Sequence, residues 1–187
     1  MATRPTFSAE VSNLLQSVAS KPLSACMQCG TCSSSCPAVA QMDHSPREIL
    51  ALIAAGQRDL VLASNAFWYC ASCYQCTVLC PRGINIAEMM YALKRFSLWK
   101  RTYPKGLIGP DFSRRFVKIV MKTGRSFEPG LAPSFIFKHG VRGLVSDGFL
   151  ALRLLLKGRL SLMPPRIERI GNFRNMVGRI LPVARAA

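Results

Sequence analysis

The sequence predicts an all-α fold, with a small helical domain built around two cysteine runs and a basic helical extension after it. Three observations predict this. All eight cysteines fall in two copies of one spacing, C-x2-C-x2-C-x3-C-P, at Cys26–Pro37 and Cys70–Pro81. Apolar residues outside the runs recur at helical intervals, and no segment alternates convincingly as a strand would. Charge is divided unevenly. Residues 1–93 hold five basic and five acidic residues, whereas residues 94–187 hold twenty and four, which is the whole net charge of +16. The expected division is 1–100 for the cysteine domain and 101–187 for the extension.

The first helix is expected from Ser8 to about Ser20, with Val11, Leu14, Leu15 and Val18 on one face. The opening residues MATRPTFSAEVSNLLQ have no apolar stretch after Arg4, so no secretory signal is expected and the thiols should meet a reducing cytosol. Between the runs, Ser45-Pro46-Arg47-Glu48 forms a capping box with proline at the first helical position. Ile49, Leu50, Leu52 and Ile53 continue that helix, and Gly56 ends it. A short helix from Asp59 to about Ala63 then delivers Phe67, Trp68 and Tyr69 beside Cys70. They serve there either as a shield for whatever the cysteines hold or as ordinary core aromatics. After the second run, Asn85 caps a helix carrying Met89, Met90, Leu93, Phe96 and Leu98. The two histidines, His44 and His139, have no evident ligand partner, and His44 is expected to face solvent.

The extension is basic and apolar together. Phe112, Phe116, Ile119 and Val120 lie with Arg114, Arg115, Lys118 and Lys122 in one expected amphipathic helix. A second has Arg142, Ser146, Phe149, Arg153 and Lys157 opposite Leu150, Leu154 and Leu155. No apolar run is long enough to span a bilayer. Gly and Pro at 104–110, 129–133 and 164–165 are expected to break this half into short helices.

Disulfides need an oxidising compartment, and zinc sites generally pair one C-x2-C with a second, distant pair of ligands. Three cysteines at three-residue intervals suit a cubane cluster better, because each of its irons sits at a separate corner and needs one thiolate. The spacing is similar to that of bacterial two-cluster ferredoxins, in which the fourth cysteine of a run ligates the other cluster. That precedent implies two [4Fe–4S] clusters, one on Cys26, Cys29, Cys32 and Cys80 and the other on Cys70, Cys73, Cys76 and Cys36. No cysteine is left over, so every iron would be saturated. No catalytic residue is then expected, only electron transfer or a structural role. Arg82, just after Cys80-Pro81, would either raise a cluster potential or cap a turn.

CMQCGTCSSSCP, the SPREILALI helix, the WYC approach and CASCYQCTVLCPRGINI together resemble the α-helical ferredoxin family over about residues 20–100. That family includes part of the iron–sulfur protein of succinate dehydrogenase, as well as the heterodisulfide reductase C subunits. The chain has no plant-type C-x4-C-x2-C run, no paired-cysteine CCG motif and no G-x-G dinucleotide fingerprint, so it looks most like the C subunits. The resemblance implies an electron relay between two partners, the flavin-containing A-type component of such complexes and their CCG-type catalytic B-type component. A variant working oxidatively in sulfur metabolism is included. It also implies a cytoplasmic protein, with a peripheral seat on the inner face of an anionic membrane as the alternative to subunit docking. Two other readings compete: the iron–sulfur subunit of another membrane-surface or flavoprotein dehydrogenase, and a basic nucleic-acid-binding module with structural clusters. The second is disfavoured because the basic half carries no nucleic-acid motif and is rich in leucine.

Overall fold

The computed structural model describes residues 6–15, 21–131, 148–149, 152–159, 163–164 and 166–180. These are helical or irregular throughout, with no strand among them. The chain divides into two compact units, Met1–Lys105 and Gly106–Ala187.

In the first unit, helix α1 (Phe7–Leu15) buries Phe7, Val11 and Leu15. Residues 16–20 of the longer helix expected there, Val18 among them, lie outside the described residues. A single 3-10 turn, Leu23–Ala25, leads into the first cysteine run, which contains α2 (Thr31–Ser34). Helix α3 (Pro46–Ala54) starts at the expected capping box: the Ser45 hydroxyl accepts from the Glu48 amide, and Glu48 accepts from the Ser45 amide at 2.7 Å. Such a cap is worth about 1 kcal/mol. Gly56 follows with φ 71°, a left-handed conformation that ends the helix. Helices α4 (Arg58–Ala63) and α5 (Ala66–Tyr69) lead to the second run and α6 (Gln75–Val78). Asn85 then caps α7 (Ile86–Lys100), its side chain accepting from the Glu88 amide.

Helix α7 is the spine of this unit. It packs against α1, α5 and α6 and buries Met89, Met90, Leu93 and Phe96, which recur at the three-to-four-residue interval of one helical face. Arg58 binds α1 and α7 together. Its guanidinium pairs with Glu10 and lies 5.5 Å from the Phe7 ring centre and 5.0 Å from that of Phe96. The C-terminal end of α7 is closed by Arg101 in the left-handed conformation, φ 55°, and by the Ser97 hydroxyl donating to the Thr102 carbonyl at 2.6 Å.

In the second unit, α8 (Ile108–Thr123) includes Gly109 and Pro110, where a break was expected. Proline costs little in a first turn, because its missing N–H would have no partner there anyway. The same holds for Pro129 in the short α9 (Glu128–Leu131). Helix α10 (Ile170–Ile180) packs against α8. The Arg174 guanidinium donates to the Met121 carbonyl at 2.8 Å, at the C-terminal end of α8, where a cation is favoured. Residues 148–149 and 152–156 are helical, with Phe149 and Arg153 exposed and Leu154 and Leu155 half-buried. Arg142, Ser146 and Leu150 of the amphipathic helix expected there lie outside the described residues. Among the described residues, no helix is long and apolar enough to cross a membrane.

Candidate iron–sulfur sites

The two cysteine runs take the same backbone path. Gln28 and Gly30 have φ of 57° and 84°, and Ser72 and Tyr74, each 44 positions later, have 57° and 61°. Each pair lies two and four residues after the first cysteine of its run. Each run then enters a one-turn helix, α2 or α6, that carries its third cysteine, and these two helices pack together. The runs therefore face each other.

Between them lie two cavities partly open to solvent. The first, of about 330 Å³, is lined by Cys26, Cys29, Cys32 and Cys80, with Arg47 and Arg82 at its wall. The second, of about 390 Å³, is lined by Cys36, Cys70, Cys73 and Cys76, with Met42, Tyr74 and Met90. All eight cysteines thus come together in two sets of four, each with three members from one run and one from the other. Among the described residues no group of Cys, His, Asp and Glu side chains converges as a single metal ion would need. The thiols instead stand around a space. Four thiols spread in this way are a donor set that fits the separate corners of a multi-iron cluster.

The surroundings of the thiols differ. Burial pushes the Cys76 thiol up to about 11 and raises its counterpart Cys32 as well. Both must give up a proton to bind iron, and burial makes that loss harder. Cys29 is exposed, and hydrogen bonds from the Thr31 hydroxyl (3.4 Å) and backbone hold its thiol below the ordinary value. The Gln28 side-chain amide donates to the Cys26 sulfur at 3.4 Å. Arg82 does more than cap a turn: its Nε donates to the Ala25 carbonyl at 3.1 Å, tying the end of the second run to the residue before Cys26. Phe67, Trp68 and Tyr69 line neither cavity. Phe67 is fully buried in the core, Trp68 packs half-buried against it and Tyr69 is exposed. His44, expected in solvent, is half-buried.

Sequence reasoning missed three contributors. Asp43 accepts from the Ser64 hydroxyl (2.6 Å), the His44 amide (2.8 Å) and the Asn65 amide (2.9 Å), while its own amide donates to Asn65 Oδ1 at 3.0 Å. Burial alone would raise its carboxyl, but these bonds prevail and hold it below the usual value. The half-buried Lys94 donates to the Cys70 carbonyl at 3.1 Å, and burial lowers its proton affinity. Arg47, read only as part of a cap, reaches the first cavity. A signal existed only for Arg47, one turn into a helix that starts near the first run.

Residues 22–84 match the 4Fe–4S dicluster domain family. The chain is 32% identical over 126 residues to the iron–sulfur C subunit of the CoB–CoM heterodisulfide reductase of Methanopyrus kandleri, covering 65% of this chain and 62% of that protein. It is 39% identical over 80 residues to the second iron–sulfur C subunit of the enzyme of the same name from Methanocaldococcus jannaschii, covering 43% of this chain and 42% of that protein. It is 36% identical over 101 residues to the C subunit of the ferredoxin:CoB–CoM heterodisulfide reductase of Methanosarcina mazei, covering 54% of this chain and 58% of that protein. The chain therefore spans less than two thirds of the length of these relatives. The resemblance to heterodisulfide reductase C subunits seen in the cysteine runs is upheld, and residues 22–84 are a helical dicluster domain for two [4Fe–4S] clusters.

Proposed function

We propose that this chain, sharing its two-cluster domain with heterodisulfide reductase C subunits, is the electron-relay subunit of a heterodisulfide reductase-like complex. It would pass electrons between two partners, one flavin-containing and the other a disulfide-handling protein of the CCG type. One observation carries the reading: each cavity is ringed by four cysteines, three from one run and one from the other, and no cysteine remains outside. The ligand sets are then Cys26, Cys29, Cys32 and Cys80 for one cluster, and Cys70, Cys73, Cys76 and Cys36 for the other. When bound, such clusters supply one-electron storage at two neighbouring points. The chain's part is to hold them close together, saturate their irons and shield them with α3 and α7.

Iron and acid-labile sulfide should each approach eight per chain. Cys80→Ala should remove the cluster of Cys26, Cys29 and Cys32, and Cys36→Ala the other, each leaving about half the iron. Loss of the cluster nearest in sequence would overturn the crossed ligand sets, and zinc without sulfide would overturn the relay.

The basic unit is the docking element in this reading. On α8, the partly exposed Phe116 and Val117 lie beside the exposed Arg115 and Lys118, a combination that an acidic partner surface with an apolar patch would cover. Deleting 104–187 should leave both clusters in place and abolish assembly with the flavin and CCG-type partners. If assembly survives and only binding to anionic vesicles is lost, the unit is a peripheral membrane anchor.

A further inference from the structure

Reduction adds negative charge to a cluster, so nearby cations and donors to its sulfurs favour the reduced form. The two cavities are unequal in both respects. Arg47 and Arg82 line the first, and no charged side chain lines the second. At the first, the Gln28 amide reaches Cys26 and the Thr31 hydroxyl reaches Cys29. The residues 44 positions later are Ser72 and Gln75, and no corresponding bond to a thiol is found there among the described residues. Beside the third cysteines, the Ser33 hydroxyl accepts from the Arg47 amide at 3.1 Å, whereas the Thr77 hydroxyl donates to Asn85 Oδ1 at 3.2 Å.

Behind the second cavity stand two opposed charges. The Lys94 ammonium donates to the Cys70 carbonyl, and the Glu88 carboxylate accepts from the Tyr74 hydroxyl at 2.9 Å. The hydroxyl of Tyr74, a residue that lines that cavity, is thus turned to a carboxylate. The balance of charge and donors favours the first cavity.

We propose that the cluster bounded by Cys26, Cys29, Cys32 and Cys80 is the more readily reduced, so that an electron entering the chain comes to rest there. Arg47, Arg82 and Gln28 set this order as positioning residues around the cluster. The proposal rests on the ligand sets given above and adds an order to them. Because Arg47 and Arg82 are exposed, salt should screen their share and narrow the gap.

The test is an EPR-monitored redox titration of the full-length, cluster-loaded chain at low and high salt. Cys29→Ser and Cys73→Ser, both at exposed thiols, identify the two signals by moving one each. The Cys29-marked signal should have the higher midpoint. Arg47→Gln and Gln28→Leu should each lower that midpoint and leave the other unmoved, with a tenfold change in occupancy reading as about 59 mV. Arg82→Lys, which keeps the charge, should hold the midpoint near its original value. Lys94→Gln should lower only the Cys73-marked signal. A higher midpoint for the Cys73-marked signal, or a midpoint indifferent to Arg47→Gln and to salt, overturns the proposal while leaving the ligand sets intact. A chain without eight irons and two signals fails the ligand sets themselves, and this proposal with them.

Discussion

Gly30 and Tyr74 occupy the same place in two copies of one turn. Both are left-handed, both follow their run's second cysteine, and both precede a one-turn helix that carries the third. Glycine takes that conformation without strain, whereas a residue with a Cβ bears roughly 1 kcal/mol. In return, the tyrosine hydroxyl is anchored to Glu88 in the first turn of α7. The backbone path is common because three thiols must stand around one space. The side chain at the strained position is left over for another use, and the two runs use it differently.

Their approaches differ too, and the largest expected effect lies there. The first run arrives through the 3-10 turn of Leu23, the second through α5 with Phe67 wholly inside the core. Phe67→Ala should cost about 3–5 kcal/mol and Leu23→Ala about 2–3 kcal/mol, measured by urea unfolding of the loaded chain. Equal costs would mean that the two approaches bear alike on the fold.

The turn itself is the next lever. At Gly30 an added Cβ would meet nothing closer than the Arg47 Cδ at 3.9 Å, so Gly30→Ala should cost about 1 kcal/mol, from backbone strain alone. Tyr74→Gly should change stability by less, since relief of strain is offset by the lost bond to Glu88 and a more flexible unfolded chain. A large cost at Tyr74 with none at Gly30 would reverse the comparison.

The last lever is Asp43, which braces only the second approach. Its carboxyl is held below the usual value in the folded chain. Its contribution is therefore present above the ordinary carboxylate value of about 3.9 and is lost as pH falls through the lower folded value. Asp43→Asn should cost about 1 kcal/mol near neutrality and should flatten the decline in stability as pH falls below about 4. An unchanged acid profile would assign that decline to other carboxylates.

Much of this was legible in advance. The capping box at Ser45, the Asn85 cap and the Gly56 stop are local signals, each completed within a few residues, and each forms as expected. The eight thiols were legible because their spacing is itself the message. What escaped notice depends on distant partners: Asp43 with Ser64 and Asn65, Arg82 with Ala25, and Lys94 with Cys70. No periodicity encodes such pairs. Tyr74 was hidden for the opposite reason, since its conformation runs against its local preference and is imposed by the turn around it.

Helix α7 has fifteen residues, about 22 Å from end to end. Its first two turns supply Ala87 and Met90 to the wall of the second cavity. Its later turns, with Lys94, Arg95 and Lys100, are where the chain becomes basic. One stiff rod thus spans from a cysteine pocket to the beginning of the charged half. A partner that binds its far end therefore holds the same helix that walls the pocket, and it does so without touching a cysteine.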